Sequence, residues 1–301
     1  MSTRDLTALL VLSALWGASF LFMRVAAPVL GPVVLIELRV LIAGLALLAF
    51  AVATRSLPGF RSRWRPFLVI GVINSALPFV LISGATVHIT ASLAATLNAT
   101  TPLFGALVAA AWLGERLTPG KAAGLLLGLL GVGVLVGFGP LPLTPLVWLS
   151  IGASLLAALS YGVAAVYTKV RMTDTPPLAL ALYSQLCAAG VLLPAVPFAL
   201  PSTFPPGPVI LSVLALAVLS TAVAYLLYFG LIQRAGPTKA TMVTYLSPAF
   251  GILWGALLLR EPLTVWSFVG FGLILASVAL VSGLLPFGRQ TATRVSAERE
   301  T

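Results

Sequence analysis

Runs of apolar residues, separated by short segments rich in glycine, proline and charge, extend along almost the whole chain. A helix that crosses a bilayer needs about 20 mostly apolar residues. The pattern therefore predicts ten membrane-spanning helices, at residues 6–27, 32–54, 66–86, 90–113, 119–138, 147–169, 178–199, 208–233, 238–259 and 262–285. The segments between them are short and leave no room for a soluble domain.

Composition supports this interpretation. The chain has 60% hydrophobic and 8% charged residues, whereas soluble domains carry about 25% charged residues. We therefore predict an all-α membrane protein. The first run is too long for the core of a signal peptide and lacks an A-x-A cleavage site, so we interpret it as the first span. Residues 286–301 are polar and of mixed charge, which predicts a disordered cytoplasmic tail.

The basic residues indicate the orientation. A net charge of +10 would suit nucleic-acid binding only if the basic residues gathered on one folded face, and here they lie singly or in small groups between apolar runs. With the N-terminus inside, fourteen of the seventeen lysines and arginines fall in inner segments: Arg4, Arg55, Arg61, Arg63, Arg65, Arg116, Lys121, Lys169, Arg171, Arg234, Lys239, Arg289, Arg294 and Arg299. Because basic residues are retained on the cytoplasmic side, we predict that both termini are cytoplasmic.

The chain also repeats itself. A shift of 146 residues aligns 97–137 with 243–283, pairing Pro102 with Pro248, Phe104 with Phe250, Gly105 with Gly251 and Glu115 with Glu261; a shift of 145 pairs Trp16-Gly17 with Tyr161-Gly162 and Arg24 with Lys169. Each half, residues 1–138 and 147–285, holds five predicted spans. Since five is odd, the halves enter the membrane from opposite sides, which predicts inverted repeats. Such repeats are typical of secondary transporters with a substrate site near the midplane.

Three segments resemble the EamA family of the drug/metabolite transporter superfamily: SALWGASFLFMRVAA in the first span, LRVLIAGLALL in the second, and ASLAATLNATTPLFGALVAAAWLGERLT around the fourth. The second copy departs from the last block, because Arg260-Glu261-Pro262 replaces Gly-Glu-Arg. The resemblance implies ten helices around a central cavity in the bacterial inner membrane. It also implies export or exchange of small metabolites but does not single out one substrate. Members of the family include exporters of neutral and aromatic amino acids, which are the substrates we expect.

Candidate cavity residues gather around three prolines predicted to interrupt spans, Pro78, Pro102 and Pro248. A proline in a span frees a backbone carbonyl, which is tolerated against protein partners or a wet cavity. Amides, hydroxyls and aromatic rings nearby would suit the two ends and the side chain of a zwitterion. The predicted substrate-binding residues are Trp16, Phe20, Asn74, Pro78, Phe79, Asn98, Thr101, Tyr161, Tyr225, Tyr228, Tyr245 and Ser247.

Motifs for other chemistry are weak. Residues 114–122 read GERLTPGKA, which has one residue too many for a phosphate-binding loop and ends in alanine, so ATP is not the predicted energy source. One histidine and one membrane-embedded acid cannot build a metal or acid–base centre. We predict no cofactor, no metal site and no enzymatic activity.

Charged residues in or beside the spans have two interpretations each. Glu37 and Arg39 lie within the second span, where ionisable residues mark either function or structural anchoring, and Glu37 is close enough to the span's end to reach the outer interface. Arg24 and Lys169 are either anchors at span ends or parts of alternating gates. Glu115 and Glu261 are either structural turns or gates, and His88 is expected to be an exposed loop residue.

Two alternatives to amino-acid export remain. An antiporter of phosphorylated metabolites or nucleotide-sugars would need several cations at the midplane, where only Arg39 is available. A passive channel would show neither saturation nor competition. The glycines at 124, 128 and 131 suit either a dimer or internal packing of spans five and ten, so the oligomeric state is open and a monomer is possible.

Overall fold

The computed structural model describes residues 2–57, 59–60, 63–139 and 141–284, apart from the side chains of Pro237 and Thr238. Within these residues the chain forms helices and turns and no strand. The α-helices are α1 (Thr3–Ala53), α2 (Trp64–Gly71), α3 (Leu77–Ala85), α4 (Ala91–Asn98), α5 (Thr101–Leu113), α6 (Pro119–Gly137), α7 (Pro145–Arg171), α8 (Pro177–Leu192), α9 (Gly207–Leu214), α10 (Ala224–Ala235), α11 (Pro237–Ala240), α12 (Val243–Leu259) and α13 (Val265–Val281).

Helix α1 contains the first two predicted spans. Gly31 interrupts it with φ 71° and ψ 156°, and Pro28 and Pro32 flank the break. Glycine adopts a positive φ without steric cost, and a proline cannot donate the hydrogen bond that would carry the helix across the break. Gly31 lies in the predicted gap between residues 27 and 32, so two helical segments meet there with no loop between them.

Seven helical runs in the described residues are long and apolar enough to cross a membrane: Thr3–Ala53, Trp64–Ala85, Ala91–Leu113, Pro119–Gly137, Pro145–Arg171, Pro177–Phe198 and Gly207–Ala235. Helices α12 and α13 are apolar but shorter. The predicted start of the ninth span at residue 238 is wrong, because a turn at residues 241–242 separates α11 from α12. In this turn the Met242 N–H bonds the Lys239 carbonyl at 3.3 Å.

The three prolines have different effects. Pro78 stands in the first turn of α3, after a π-helical segment at Val72–Ala76. Pro102 stands in the first turn of α5, after α4 ends at Asn98, so the predicted interruption of this span is present. Pro248 lies inside the continuous helix α12, and the predicted interruption there is wrong. Proline removes one amide donor, and the rest of the helix continues through it.

Large apolar side chains point outward from the helices. Leu126 and Leu129 on α6 are 70% and 71% exposed, and Leu257 on α12 is 63% exposed. Soluble monomers rarely expose contiguous apolar surface on this scale. Together with the seven long apolar helices, this surface is that of a protein whose solvent is the bilayer.

The glycine face of α6 is internal. A methyl group on Gly124 would lie 2.7 Å from Val281 Cγ2, and one on Gly131 would lie 2.9 Å from Ile274 Cγ1, both on α13. Small residues let two helix backbones approach closely. Of the two interpretations of this face, packing of α6 on α13 is therefore the one found.

Candidate substrate cavity

A cavity of about 380 Å³ lies between the helices. It draws side chains from both sequence halves. Its lining residues are Trp16, Ser19, Phe20, Met23, Arg39, Asn74, Phe79, Ile82, Asn98, Ala99, Thr101, Pro102, Tyr161, Ala165, Ser220, Tyr225, Tyr228, Thr244 and Ser247. A second pocket beside Leu141 and Pro262 has only about 40 Å³, enough for little more than a water molecule. The larger cavity is therefore the candidate site.

The structure brings together ten of the twelve residues selected from the sequence, namely Trp16, Phe20, Asn74, Phe79, Asn98, Thr101, Tyr161, Tyr225, Tyr228 and Ser247. Pro78 is buried at the start of α3 and does not line the cavity. Tyr245 also lies outside it, where its hydroxyl donates a 2.8 Å hydrogen bond to Ser282. Tyr245 and Ser247 are two residues apart on α12, and positions with that spacing do not share a helix face.

Aromatic rings form two walls of the cavity. Trp16 contacts Tyr228, with ring centroids 5.3 Å apart, and meets Tyr225 edge to face at 6.4 Å. Phe79 meets Tyr161 edge to face, also at 6.4 Å. Such pairs hold one another in place and present both apolar faces and polar edges. An aromatic or aliphatic group of a ligand would find apolar surface here.

Arg39 is the charged residue of the cavity. Its side chain is 5% exposed, and its guanidinium carbon lies 3.6 Å from the centre of the Phe79 ring. Nε donates a 3.0 Å hydrogen bond to Thr221 Oγ1, and Nη1 lies 3.8 Å from Met23 Sδ. Sequence reasoning left Arg39 between anchoring and function, and the structure sets it into the cavity wall.

A second π-helical segment, Ala215–Val223, joins α9 to α10 and supports this arrangement. The Thr221 hydroxyl accepts the hydrogen bond from Arg39 Nε and donates a 2.8 Å hydrogen bond to the backbone carbonyl of Leu216, five residues earlier in the π-helical segment. Ser220, its neighbour, lines the cavity. π-Helical segments recur at functional sites, and no sequence signal marked this one.

Two fully buried polar atoms of lining residues have no hydrogen-bond partner among the described residues: Asn98 Oδ1 and Ser220 Oγ. The Thr101 hydroxyl, by contrast, donates a 2.8 Å hydrogen bond to the backbone carbonyl of Asn98, three residues earlier. A buried polar atom without a partner costs about 1–3 kcal/mol. Among the described residues, the wall of the cavity therefore holds two unpaired polar atoms as well as Arg39.

Glu261 binds the start of α4. Its carboxylate accepts hydrogen bonds from the Ala91 N–H at 2.7 Å, the Ser92 N–H at 2.9 Å and the Ser92 hydroxyl at 2.6 Å. A carboxylate at a helix N-terminus satisfies free N–H groups and complements the helix dipole. Glu261 thus ties the segment after α12 to the segment that begins the fourth predicted span.

Glu115, its counterpart in the first half, has different partners. It forms ion pairs with Lys169 at 3.1 Å and Lys121 at 3.3 Å. Hydrogen bonds from Lys169 and then Lys121 hold the pKa of the Glu115 carboxyl below its usual range. The two acids that the repeat aligns therefore have different partners: Glu261 caps a helix, and Glu115 pairs with two lysines.

The remaining charged candidates lie outside the cavity. Arg24 donates to the carbonyls of Thr86 and Val87, at 2.5 and 2.8 Å, which fits an anchoring role at the end of α3. Glu37 is only 4% exposed, and its Oε2 has no hydrogen-bond partner among the described residues, so the expectation that it reaches the interface is wrong. His88 is exposed in the turn after α3, as expected.

Comparisons with known proteins agree with this architecture. The EamA-like transporter family model matches residues 5–137 and, a second time, residues 148–283. An uncharacterised transporter from Archaeoglobus fulgidus is 25% identical, covering 88% of this chain and 94% of its own length. A probable terminal-alkyne amino-acid exporter from Streptantibioticus cattleyicolor is 28% identical, over 91% and 92% of the two chains.

The uncharacterised inner membrane transporter YedA of Escherichia coli (strain K12) is 29% identical, over 91% of this chain and 89% of its own. A solved crystal structure is similar with a TM-score of 0.67 at 21% identity, covering 94% of this chain and 98% of that chain. At that identity the likeness concerns the fold alone.

Proposed function

Because the chain belongs to the EamA-like transporter family, a family of transporters and not of enzymes, we propose that it exports neutral and aromatic amino acids across the bacterial inner membrane as a secondary transporter. The observation that carries this proposal is the cavity of about 380 Å³, which combines aromatic walls, polar groups and, among the described residues that line it, a single buried cation. Pockets with mostly apolar walls and a few converging polar groups suit small organic ligands. A free amino acid has both kinds of surface.

The proposed topology has ten spans with both termini in the cytoplasm. The break at Gly31 divides α1 into two helical segments, six further long apolar runs follow, and α12 and α13 supply the last two. The two matches of the family model support a division into two five-span repeats. The bias of basic residues towards one side supports the cytoplasmic location of the termini.

Equivalent contacts in the two halves support the inverted repeat. A methyl group on Gly17 of α1 would lie 2.7 Å from the Gly251 nitrogen of α12. A methyl group on Gly162 of α7 would lie 2.8 Å from the Gly105 nitrogen of α5. These are the glycines that the sequence repeat aligns, Gly17 with Gly162 and Gly105 with Gly251. The same close helix crossing therefore occurs twice, each time between one half and the other.

Unequal packing at the two ends supports alternating access. At the end beside Glu261, a methyl group on Gly251 of α12 would meet Ala95 Cβ of α4 at 2.5 Å, so these helices touch. At the other end, a methyl group on the equivalent Gly105 of α5 would meet no described atom of α11 or α12 within 4 Å, and the exposed residue Thr244 lines the cavity. In the proposed orientation the closed end is outer, and the cavity extends towards the cytoplasm.

The name of one relative favours amino acids as substrates. The Streptantibioticus cattleyicolor protein is a probable terminal-alkyne amino-acid exporter, and its likeness extends over almost the whole of both chains. Phosphorylated metabolites carry two or more negative charges and call for several cations in the site. Arg39 is the only charged side chain among the described residues that line the cavity.

The proposal is tested by counterflow in proteoliposomes loaded with a panel of unlabelled amino acids, following uptake of one labelled neutral amino acid. We expect saturable uptake that rises with internal amino acid. Tyr228→Ala and Tyr245→Ala form a matched pair, since Tyr228 lines the cavity and Tyr245 does not. Tyr228→Ala should lower uptake by about tenfold, because it removes an aromatic contact that contributes about 1–2 kcal/mol to binding. Tyr245→Ala should change uptake little.

No stimulation of uptake by any amino acid would contradict the substrate assignment. Uptake that neither saturates nor responds to competitors would indicate a passive channel instead. Stimulation only by internal phosphorylated compounds would support the antiporter alternative.

A further inference from the structure

We infer that Arg39 binds the carboxylate of the substrate and thereby selects amino acids over their uncharged or amine analogues. This inference rests on the proposed function and deepens it by assigning one end of the substrate to one residue. It follows from three features of Arg39: its charge has no acidic partner among the described residues, its side chain is fixed, and it lines the cavity with its terminal nitrogens largely unbonded.

The charge of Arg39 has no acidic partner within the described residues. Asp5 pairs with Arg234 at 3.0 Å, and Glu115 pairs with its two lysines. Glu261 is bound to the start of α4. Neither Glu37 nor Asp174 forms an ion pair with another residue that the structure describes. An unpaired cation at this depth is costly in a membrane protein and marks a functional site by default. A ligand that brings its own negative charge would remove this cost.

The guanidinium group is held from two sides. The Phe79 ring supports its flat face at 3.6 Å, and Thr221 fixes Nε at 3.0 Å. Arginine stacked on an aromatic ring is pre-organised, so little side-chain freedom is lost when it binds a ligand. The arrangement therefore fixes the direction in which the remaining N–H groups point.

The terminal nitrogens supply the binding edge. Nη2 makes no hydrogen bond to a described residue, and the one contact of Nη1 is the weak one to Met23 sulfur. Together they form a flat pair of donors that matches the two oxygens of a carboxylate. One cation also matches one negative charge, so a carboxylate suits the cavity better than a phosphate.

The opposite end of an amino acid would then meet neutral acceptors. Asn98 and Ser220 line the same cavity with an amide and a hydroxyl group, and the faces of the Trp16 and Tyr228 rings attract cations. No acid lines the cavity among the described residues. Amines without a carboxylate would therefore face the positive charge of Arg39 with nothing to offset it.

The test compares how an amino acid, its primary amide and its decarboxylated amine inhibit counterflow of the labelled amino acid. Phenylalanine, phenylalaninamide and phenethylamine form a suitable set, since they share one side chain. For the unmodified protein, we expect the concentration that gives half-inhibition to be at least about tenfold higher for the amide and the amine than for the amino acid. A hydrogen bond to a charged group contributes enough binding free energy to change an affinity by about tenfold or more.

The variant Arg39→Gln should bring this ratio close to one, by weakening inhibition by the acid. Arg39→Lys keeps the charge but loses the paired donors and should lower the ratio by about threefold or more. Both variants are first checked by size-exclusion chromatography and thermal unfolding. The ratio is measured within each variant, so a change in the amount of active protein does not alter it.

The outcomes separate this inference from the proposed function. If the unmodified protein transports amino acids and either folded variant keeps the full discrimination, the assignment of Arg39 is overturned and amino-acid transport stands. If the unmodified protein takes up no amino acid, the proposed function fails and this inference fails with it.

Discussion

Two glycines of α7 offer a direct test of how closely the helices must pack around the cavity. A methyl group on Gly162 would lie 2.8 Å from the Gly105 nitrogen and 2.9 Å from the Phe104 carbonyl carbon, both in the backbone of α5. A methyl group on Gly152 would meet no atom within 4 Å. Since backbone atoms cannot rotate away, Gly162→Ala forces two helices apart and Gly152→Ala does not.

The expected magnitude follows from two effects. Replacing glycine by alanine inside a helix favours the helix by about 1 kcal/mol, and this gain is shared by both variants. Overpacking costs about 1–3 kcal/mol and applies only to Gly162→Ala. We therefore expect Gly162→Ala to be less stable than Gly152→Ala by about 1–3 kcal/mol, which corresponds to a difference in Tm on the order of 5 °C.

Thermal unfolding of the purified variants, followed by tryptophan fluorescence, measures this difference. Counterflow rates provide a second readout, because Gly162 adjoins the cavity residue Tyr161 and its displacement should slow transport. Equal Tm values for Gly162→Ala and Gly152→Ala would refute the close contact between α7 and α5.

Three further substitutions test other contacts. Glu261→Gln removes a charge-assisted helix cap that contributes about 1.5–3 kcal/mol. The closed end should therefore open more often, and a cysteine placed in the cavity should react faster with a thiol reagent from the outer side. An unchanged reaction rate would contradict this role of Glu261. Thr221→Val should raise the KM for amino acids by about threefold to tenfold, as loss of one positioning hydrogen bond predicts, while Thr221→Ser should restore it. The pKa of Glu115 is lowered in the folded protein, so its stabilisation is present above the unfolded pKa of about 4.3 and is lost as the pH falls through the lower folded pKa. Glu115→Gln should therefore have a lower Tm than the unmodified protein at pH 7 and the same Tm at acid pH. A Tm difference that persists at acid pH would count against the ion pairs.

The helical pattern and most of the cavity were predictable from the sequence. Apolar run length determines where a chain can cross a bilayer, which is why the long helices lie at the predicted places. Polar and aromatic residues within apolar spans are costly unless they have partners, and this rule selected residues such as Asn98 and Tyr161. The internal repeat marked which glycines would be equivalent, and the close contacts of Gly17 and Gly162 agree with it.

Other features depend on tertiary contacts that a sequence does not display. The π-helical segment at Ala215–Val223 shifts the register of side chains, and no residue type requires it. The environment of Arg39 depends on Phe79 and Thr221, which are distant in sequence. Pro248 does not interrupt α12, since loss of one donor does not by itself end a helix held by its neighbours. Tyr245 was selected for its type, but its helix face turns it towards Ser282.

The central claim is that this cavity opens in turn to the two sides of the membrane. Thr101→Cys in a Cys187→Ala background tests it with a membrane-impermeant thiol reagent, applied in separate experiments to inside-out and right-side-out vesicles. Thr101 lines the cavity, and its hydroxyl donates its hydrogen bond to the nearby Asn98 carbonyl, three residues earlier. Leu129→Cys, on the outward surface of α6, serves as the unreactive control. We predict labelling of Thr101→Cys from both sides, slowed from each by a transported amino acid. Labelling from one side only, or labelling from both sides accompanied by ion conductance, would contradict alternating access.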